Sequence, residues 1–134
     1  KLMNQNPFSK IRFSEAKKNI ARLKDVFKSG HLDEFINITE SEALMIHSLM
    51  LSSSPYFILM KPNTLEVIQR ILEYRRETKN PVCFTLDAGS NVHLLYPNNI
   101  KSEVKNFIED ELLKFCKSKM CIYDSLGSGS AKMI

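Results

Sequence analysis

Across residues 14–28, apolar residues return at steps of four, three and four: Ala16, Ile20, Leu23 and Phe27. That period puts them on one stripe of a helix. Ser14 suits an N-cap, and Ser29-Gly30 supplies a stop. A second helix is expected over about 31–52, carrying Leu32, Phe35, Ile38, Ala43, Leu44, Ile46, His47 and Met50, without Gly or Pro before Pro55. Pro55 ends it, because a residue preceding proline avoids helical angles. A short apolar stretch, 56–60, crosses to Pro62. A third helix enters at Asn63, with Glu66 three residues on in capping-box spacing. Its buried face is Leu65, Ile68, Ile71 and Leu72, and Asn80-Pro81 closes it.

The pattern then changes. Residues 82–86 and 92–96 are rich in β-branched and aromatic side chains and read as strands. Between them lies a hairpin-sized connection, Asp87-Ala88-Gly89-Ser90-Asn91. A fourth helix is expected over about 99–117, with Ile100, Val104, Phe107, Ile108, Leu112 and Phe115 as its stripe. A last strand at about 121–125, a Gly-Ser loop at 126–130 and a short tail at 131–134 complete the reading. No internal repeat occurs.

These elements predict an α+β fold in three parts: an irregular lead-in (1–13) anchored by Phe8, Ile11 and Phe13, a helical pair (14–53), and an α-β-β-α-β unit (63–134). That unit is a ferredoxin-like split β-α-β sheet with extra N-terminal helices, lacking its first strand. Without that strand the third helix is partly unsupported and backbone is left unpaired. The expectation is that the strand lies upstream in a longer protein, or that the lead-in replaces it. A first residue that is Lys1 rather than Met points the same way.

Composition changes little. The chain has 134 residues, 43% hydrophobic and 25% charged, the profile of one globular domain. A net charge of +4, dispersed along the chain, mildly favours anionic partners and fits solvated helix faces. The three cysteines, Cys83, Cys116 and Cys121, include no Cys-x-x-Cys pair, which argues against a disulfide framework or structural zinc. A reducing, cytoplasmic setting is expected. There is no secretory leader pattern and no apolar run of spanning length, so no membrane partner is expected.

The chemistry concentrates at 87–91. An apolar strand delivers the Asp87 carboxylate to its C-terminal end, Gly89 allows a sharp turn with room for positive φ, and Asn91 can stabilise it. Turn amides can face an anion. On local pattern alone, this is a hairpin with an Asx-type turn. His47, between apolar neighbours, reads as a core or interface histidine. His31 starts a helix, His93 sits on a strand, and no metal-ligand spacing is formed. Met45, Met50 and Met60 are core filling. Ser52-Ser53-Ser54 reads as a polar helix end, and Gly127-Ser128-Gly129-Ser130 does not match a Walker A loop.

The run Asp87-Ala88-Gly89-Ser90-Asn91 resembles the Asp-Ala-Gly-Pro-Asn motif of diphosphomevalonate decarboxylases, in the GHMP kinase superfamily. Other segments resemble the family in the same order. Leu2 through Phe8, with Arg12-Phe13, looks like the segment after its Ser-Ser-Thr substrate loop. Ile46-His47-Ser48 is similar to a Met/Phe-His-Ala segment, Ser54-Pro55-Tyr56-Phe57 to a Pro-rich aromatic turn, and Gly127-Ser128-Gly129 to a terminal glycine turn. One departure is Ser90 in place of the family's proline, which relaxes the turn.

The resemblance implies the C-terminal half of an ATP-dependent enzyme of the mevalonate pathway of isoprenoid biosynthesis. It converts mevalonate diphosphate to isopentenyl diphosphate, ADP, phosphate and CO2. Asp87 would be the catalytic carboxylate at the C3 hydroxyl, with Ala88 and Gly89 beside the substrate. ATP and Mg2+ would be bound mainly by the enzyme's own N-terminal domain. The superfamily's Gly/Ser-rich phosphate loop and the family's diphosphate-holding lysine, arginine and serine are absent here, so the chain alone should be inactive. A homodimer is implied. The alternatives are a related kinase domain, such as a mevalonate 3-kinase or phosphomevalonate kinase, and a ferredoxin-like RNA-binding module. The latter is disfavoured because no RNP1 run is present, so no nucleic-acid partner is expected.

Overall fold

A computed structural model describes residues 6–127. Four helices, α1 Ser9–Ser29, α2 Leu32–Leu51, α3 Pro62–Thr78 and α4 Lys101–Phe107, frame one hairpin of β1 Cys83–Leu86 and β2 Val92–Leu95. The hairpin is antiparallel, with Cys83 opposite Leu95 and Leu86 opposite Val92. The fold is α+β, and the α-β-β-α order expected after Pro62 is present.

α1 and α2 form a helical pair, but α1 starts at Ser9, so residues 9–13 of the expected irregular lead-in are helical and Ser14 lies inside the helix rather than at its N-cap. α1 stops at Gly30, whose φ of 74° is left-handed and whose N–H donates to the Val26 carbonyl at 2.8 Å; only glycine adopts that conformation at no steric cost. The buried face of α1 differs from the expected stripe. Ile20 and Phe27 are exposed, while Ser9, Asn19 and Val26 are buried. Two polar residues of α1 pair with α2: Arg12 meets Glu42 at 2.6 Å, and the buried Asn19 donates to Glu42 at 2.8 Å. Phe8, Ile11 and Phe13 do not anchor the lead-in and are exposed. The buried Asn6 does so instead, donating to the Leu49 carbonyl at 3.0 Å.

α3 begins two residues earlier than its capping signal suggests. Pro62 takes the first helical position, where its missing N–H costs nothing. Thr64 closes the cap by donating its N–H to the Lys61 carbonyl and accepting the Lys61 N–H on its hydroxyl. Asn63 donates instead to the Phe115 carbonyl at 2.9 Å.

The core joins Ile68 and Ile71 of α3, Val82 and Phe84 at β1, and Val104, Phe107, Ile108 and Leu112. Tyr74 stacks on Phe107 with ring centroids 4.1 Å apart. The fourth helix is not uniform. It enters through a 3-10 turn, Asn98–Ile100, and α4 passes into a π turn, Ile108–Leu112. The adjacent apolar residues Phe107 and Ile108 are both buried, and the wider π turn keeps Leu112 on the same face.

The expected strand at 121–125 does not form. Those residues are exposed coil, and Ile122 is 95% exposed. Strand formation needs a ladder partner, and β-branched composition alone does not supply one. Among the described residues the sheet consists of β1 and β2. The expected loop and tail beyond Gly127, and the lead-in before Asn6, lie outside the described residues.

Candidate functional site

Leu86 makes the last ladder pair of β1, so Asp87 is the first residue beyond it. Its backbone carbonyl is free of the sheet and meets Nε2 of His47 at 3.0 Å. A carbonyl only accepts, so Nε2 carries the proton in this contact. His47 is 2% exposed and lies near the C-terminal end of α2. The far end of the turn is held by α3: the Thr64 hydroxyl donates to the Ser90 carbonyl at 2.8 Å. Within the turn, Asn91 Nδ2 donates to Asp87 Oδ2 at 3.0 Å. Serine in place of the family's proline therefore leaves the turn held by α2, by α3 and by its own Asn91.

Gly89 is required for space rather than for dihedral freedom. A Cβ there would stand 2.9 Å from Asp87 Oδ1, below van der Waals contact. The positive φ expected at Gly89 is absent; among the described glycines only Gly30 has one.

Asp87 and Ala88 are exposed, whereas Gly89 and Ser90 are half-buried. Among the described residues Asp87 makes no ion pair, and its one recorded side-chain partner is Asn91. Ala88 is one of the lining residues of a mostly apolar groove of about 350 Å³, with Ile46, Leu49, Met50, Phe57 and Leu59 and the polar Asn6 and Ser53. The site thus presents an unpaired carboxylate beside an apolar wall, an arrangement able to accept a hydrogen bond from a hydroxyl group.

The strand that leads to Asp87 is tied down separately. Glu40 of α2 accepts the Phe84 N–H at 3.3 Å and pairs with Arg75 of α3 at 2.6 Å. Arg75 also donates to the Val82 carbonyl at 2.8 Å, and its guanidinium pKa is raised chiefly by the hydrogen bond to Glu40. Burial pushes the neighbouring Cys83 thiol up to about 12, with Glu40 adding to the shift. Burial also raises the half-buried Cys116. All three cysteines are free.

The other histidines are not drawn into the site. His31 and His93 are exposed, and no group of three metal-ligating side chains occurs among the described residues. The site residues not assigned from sequence are His47 and Thr64. Both are polar and buried, His47 on the face of α2 that also carries Glu40 and Thr64 on the face of α3 that carries Ile68 and Ile71. A buried polar group must find a partner, and that requirement was the signal available at His47.

The hairpin and its flanking helices define an α+β domain with an exposed carboxylate at the end of its first strand. The chain belongs to the mevalonate 5-diphosphate decarboxylase C-terminal domain family, which matches residues 3–128. Among solved structures, the mevalonate diphosphate decarboxylase of Legionella pneumophila is 29% identical. It aligns with 83% of this chain and 35% of its own, at a TM-score of 0.76. The Staphylococcus aureus mevalonate diphosphate decarboxylase is 23% identical over 82% of this chain and 33% of its own, at a TM-score of 0.75. A third structure, MDDEF in complex with MVAPP, AMPPCP and magnesium, is 22% identical over 86% of this chain and 35% of its own, at a TM-score of 0.77. The chain thus spans about a third of the length of these relatives. No protein in the curated set matches it.

Proposed function

We propose that this chain is the C-terminal part of an ATP-dependent mevalonate diphosphate decarboxylase and that Asp87 is its catalytic carboxylate. The observation that carries the proposal is the presentation of Asp87 at the end of β1, exposed, without an ion pair among the described residues and fixed through both ends of its turn. Ala88 and Gly89 form the adjoining substrate contact, Ala88 through its backbone.

Asp87 orients the tertiary C3 hydroxyl of mevalonate diphosphate. A carboxylate of ordinary pKa near ~3.9 is a weak base toward an alcohol. It takes the proton late, as the oxygen forms its bond to the phosphorus of ATP and loses negative charge. Departure of that phosphate then drives loss of CO2 and leaves the alkene of isopentenyl diphosphate. ATP and Mg2+ bind mainly to an N-terminal domain of the same protein; the related structure that holds AMPPCP and magnesium supports their use. A cytoplasmic homodimer completes the reading; exposed Ile20 and Phe27 on α1 are compatible with burial against further protein.

Product analysis of the intact protein tests the reaction class. Incubation with mevalonate diphosphate and ATP is expected to yield isopentenyl diphosphate with equimolar CO2. A phosphorylated acid without CO2 would assign the protein to the related kinases instead.

A further inference from the structure

We infer that His47 is a positioning residue, which sets the direction of the Asp87 carboxylate through the backbone of Asp87. The inference rests on the proposed catalytic role of Asp87 and extends it to a residue in a different element, 40 positions away in sequence.

α2 contacts the backbone of this strand through two polar side chains. Glu40 accepts the Phe84 N–H, and His47 donates to the Asp87 carbonyl. The seven-residue spacing between Glu40 and His47 is two helical turns, which keeps both side chains on one helix face about 10.5 Å apart along the axis. Three residues of extended chain, Phe84 to Asp87, span about 10 Å. The two spans are similar in length, and the chain turns beyond Leu86 so that the Asp87 carbonyl faces α2. Glu40 fixes the strand near its start, and His47 fixes the first residue past its end.

The second contact has a directional consequence. The peptide joining Asp87 to Ala88 is planar and trans. Holding its carbonyl toward His47 fixes the whole plane, and with it ψ of Asp87. One end of that plane is the Cα that carries the carboxylate. At the other end, the Ala88 N–H is turned away from His47. A single buried hydrogen bond therefore orients the proposed acid–base group and a backbone donor together. Asp87 itself is exposed, so its direction has few other supports: Asn91 within the turn, and Thr64 at Ser90.

The test compares His47→Gln and His47→Asn in the intact enzyme. Glutamine keeps an N–H donor at the position of Nε2, whereas asparagine is one methylene too short to reach the carbonyl. Both variants remain polar, so a folding defect common to both does not imitate the result. Displacement of a reacting group by about 1 Å can cost on the order of 10²-fold in rate. The expected result for His47→Asn is a kcat lower by about 10–100-fold with KM for mevalonate diphosphate nearly unchanged, and for His47→Gln a kcat within about 3-fold of the parent. Because His47 acts through Asp87, adding His47→Asn to Asp87→Asn is expected to slow the enzyme no further. Equal kcat in the two His47 variants, or a His47→Asn loss that persists undiminished in the Asp87→Asn background, overturns the inference. If Asp87→Asn is slow and His47→Asn is normal, positioning by His47 fails alone. If Asp87→Asn itself turns over normally, both readings fail.

Discussion

Gly89 lies so close to Asp87 that a β-carbon on it would stand 2.9 Å from the carboxylate oxygen Oδ1. The atom in conflict is the tip of a side chain, so the fold can yield at little cost by turning the carboxylate aside. Catalysis has no such latitude. Gly89→Ala is expected to lower kcat of the intact enzyme on the order of 10²-fold. The midpoint of urea unfolding should stay within experimental scatter of the parent. Parallel kinetics and unfolding curves check this.

Glu40 supports the same site from beneath. It pairs with Arg75 and accepts the Phe84 N–H, with only 13% of its side chain exposed. Glu40→Ala leaves the guanidinium and the N–H without this acceptor. Loss of hydrogen bonds to a charged group costs roughly 1.5–3 kcal/mol. Urea denaturation should register a loss of that size, in contrast to Gly89→Ala.

Cys83 predicts a pH dependence. Burial raises its thiol from 9.0 to about 12, so the folded state keeps a proton that the unfolded state releases first. Its contribution to stability is therefore fully present below pH 9.0 and is lost as pH rises through the window up to about 12. The slope from this one group is at most about 1.4 kcal/mol per pH unit. Stability measured against pH should fall more steeply above pH 9 in the parent than in Cys83→Ala. At pH 8, thiol alkylation should spare Cys83 and modify the exposed Cys121.

Much of this architecture is legible in the hydrophobic pattern. The stripe Ile68 and Ile71, the β-branched run at 82–86 and the stripe Val104, Phe107, Ile108 and Leu112 all reach the core. α1 is misread because its buried face is polar. The half-buried Arg12 and the buried Asn19 pair with Glu42, a contact between two helices that periodicity within one cannot detect. The strand expected at 121–125 fails for a related reason: composition reports side-chain preference, whereas a strand exists only where a neighbour offers a ladder.

At the site, Asp87 is readable because a carboxylate ending an apolar strand is conspicuous and its motif is specific. What holds it is not readable. His47 and Thr64 reach the turn from α2 and α3, and each contact is a hydrogen bond to a backbone carbonyl. Backbone acceptors are present at every residue and leave no mark on the sequence.

The resemblance places the phosphate-cradling loop in the N-terminal part of the enzyme, and no group of three metal-ligating side chains occurs among the described residues. The purified 134-residue chain is expected to release no CO2 from mevalonate diphosphate in the presence of ATP and Mg2+. Supplying the N-terminal part of the enzyme in trans is the complementary trial, and any activity should appear only there.

The most direct measurement is single-turnover kinetics of Asp87→Asn in the intact enzyme, alongside its equilibrium affinity for mevalonate diphosphate. Asparagine preserves shape but cannot take the hydroxyl proton. Loss of one positioned proton acceptor typically costs about 10²–10⁴-fold in rate. A fall in that range, with substrate affinity changed by no more than about 3-fold, is the expected result. Turnover within a few-fold of the parent would contradict the account, because the one carboxylate that the hairpin presents would then have no part in the reaction.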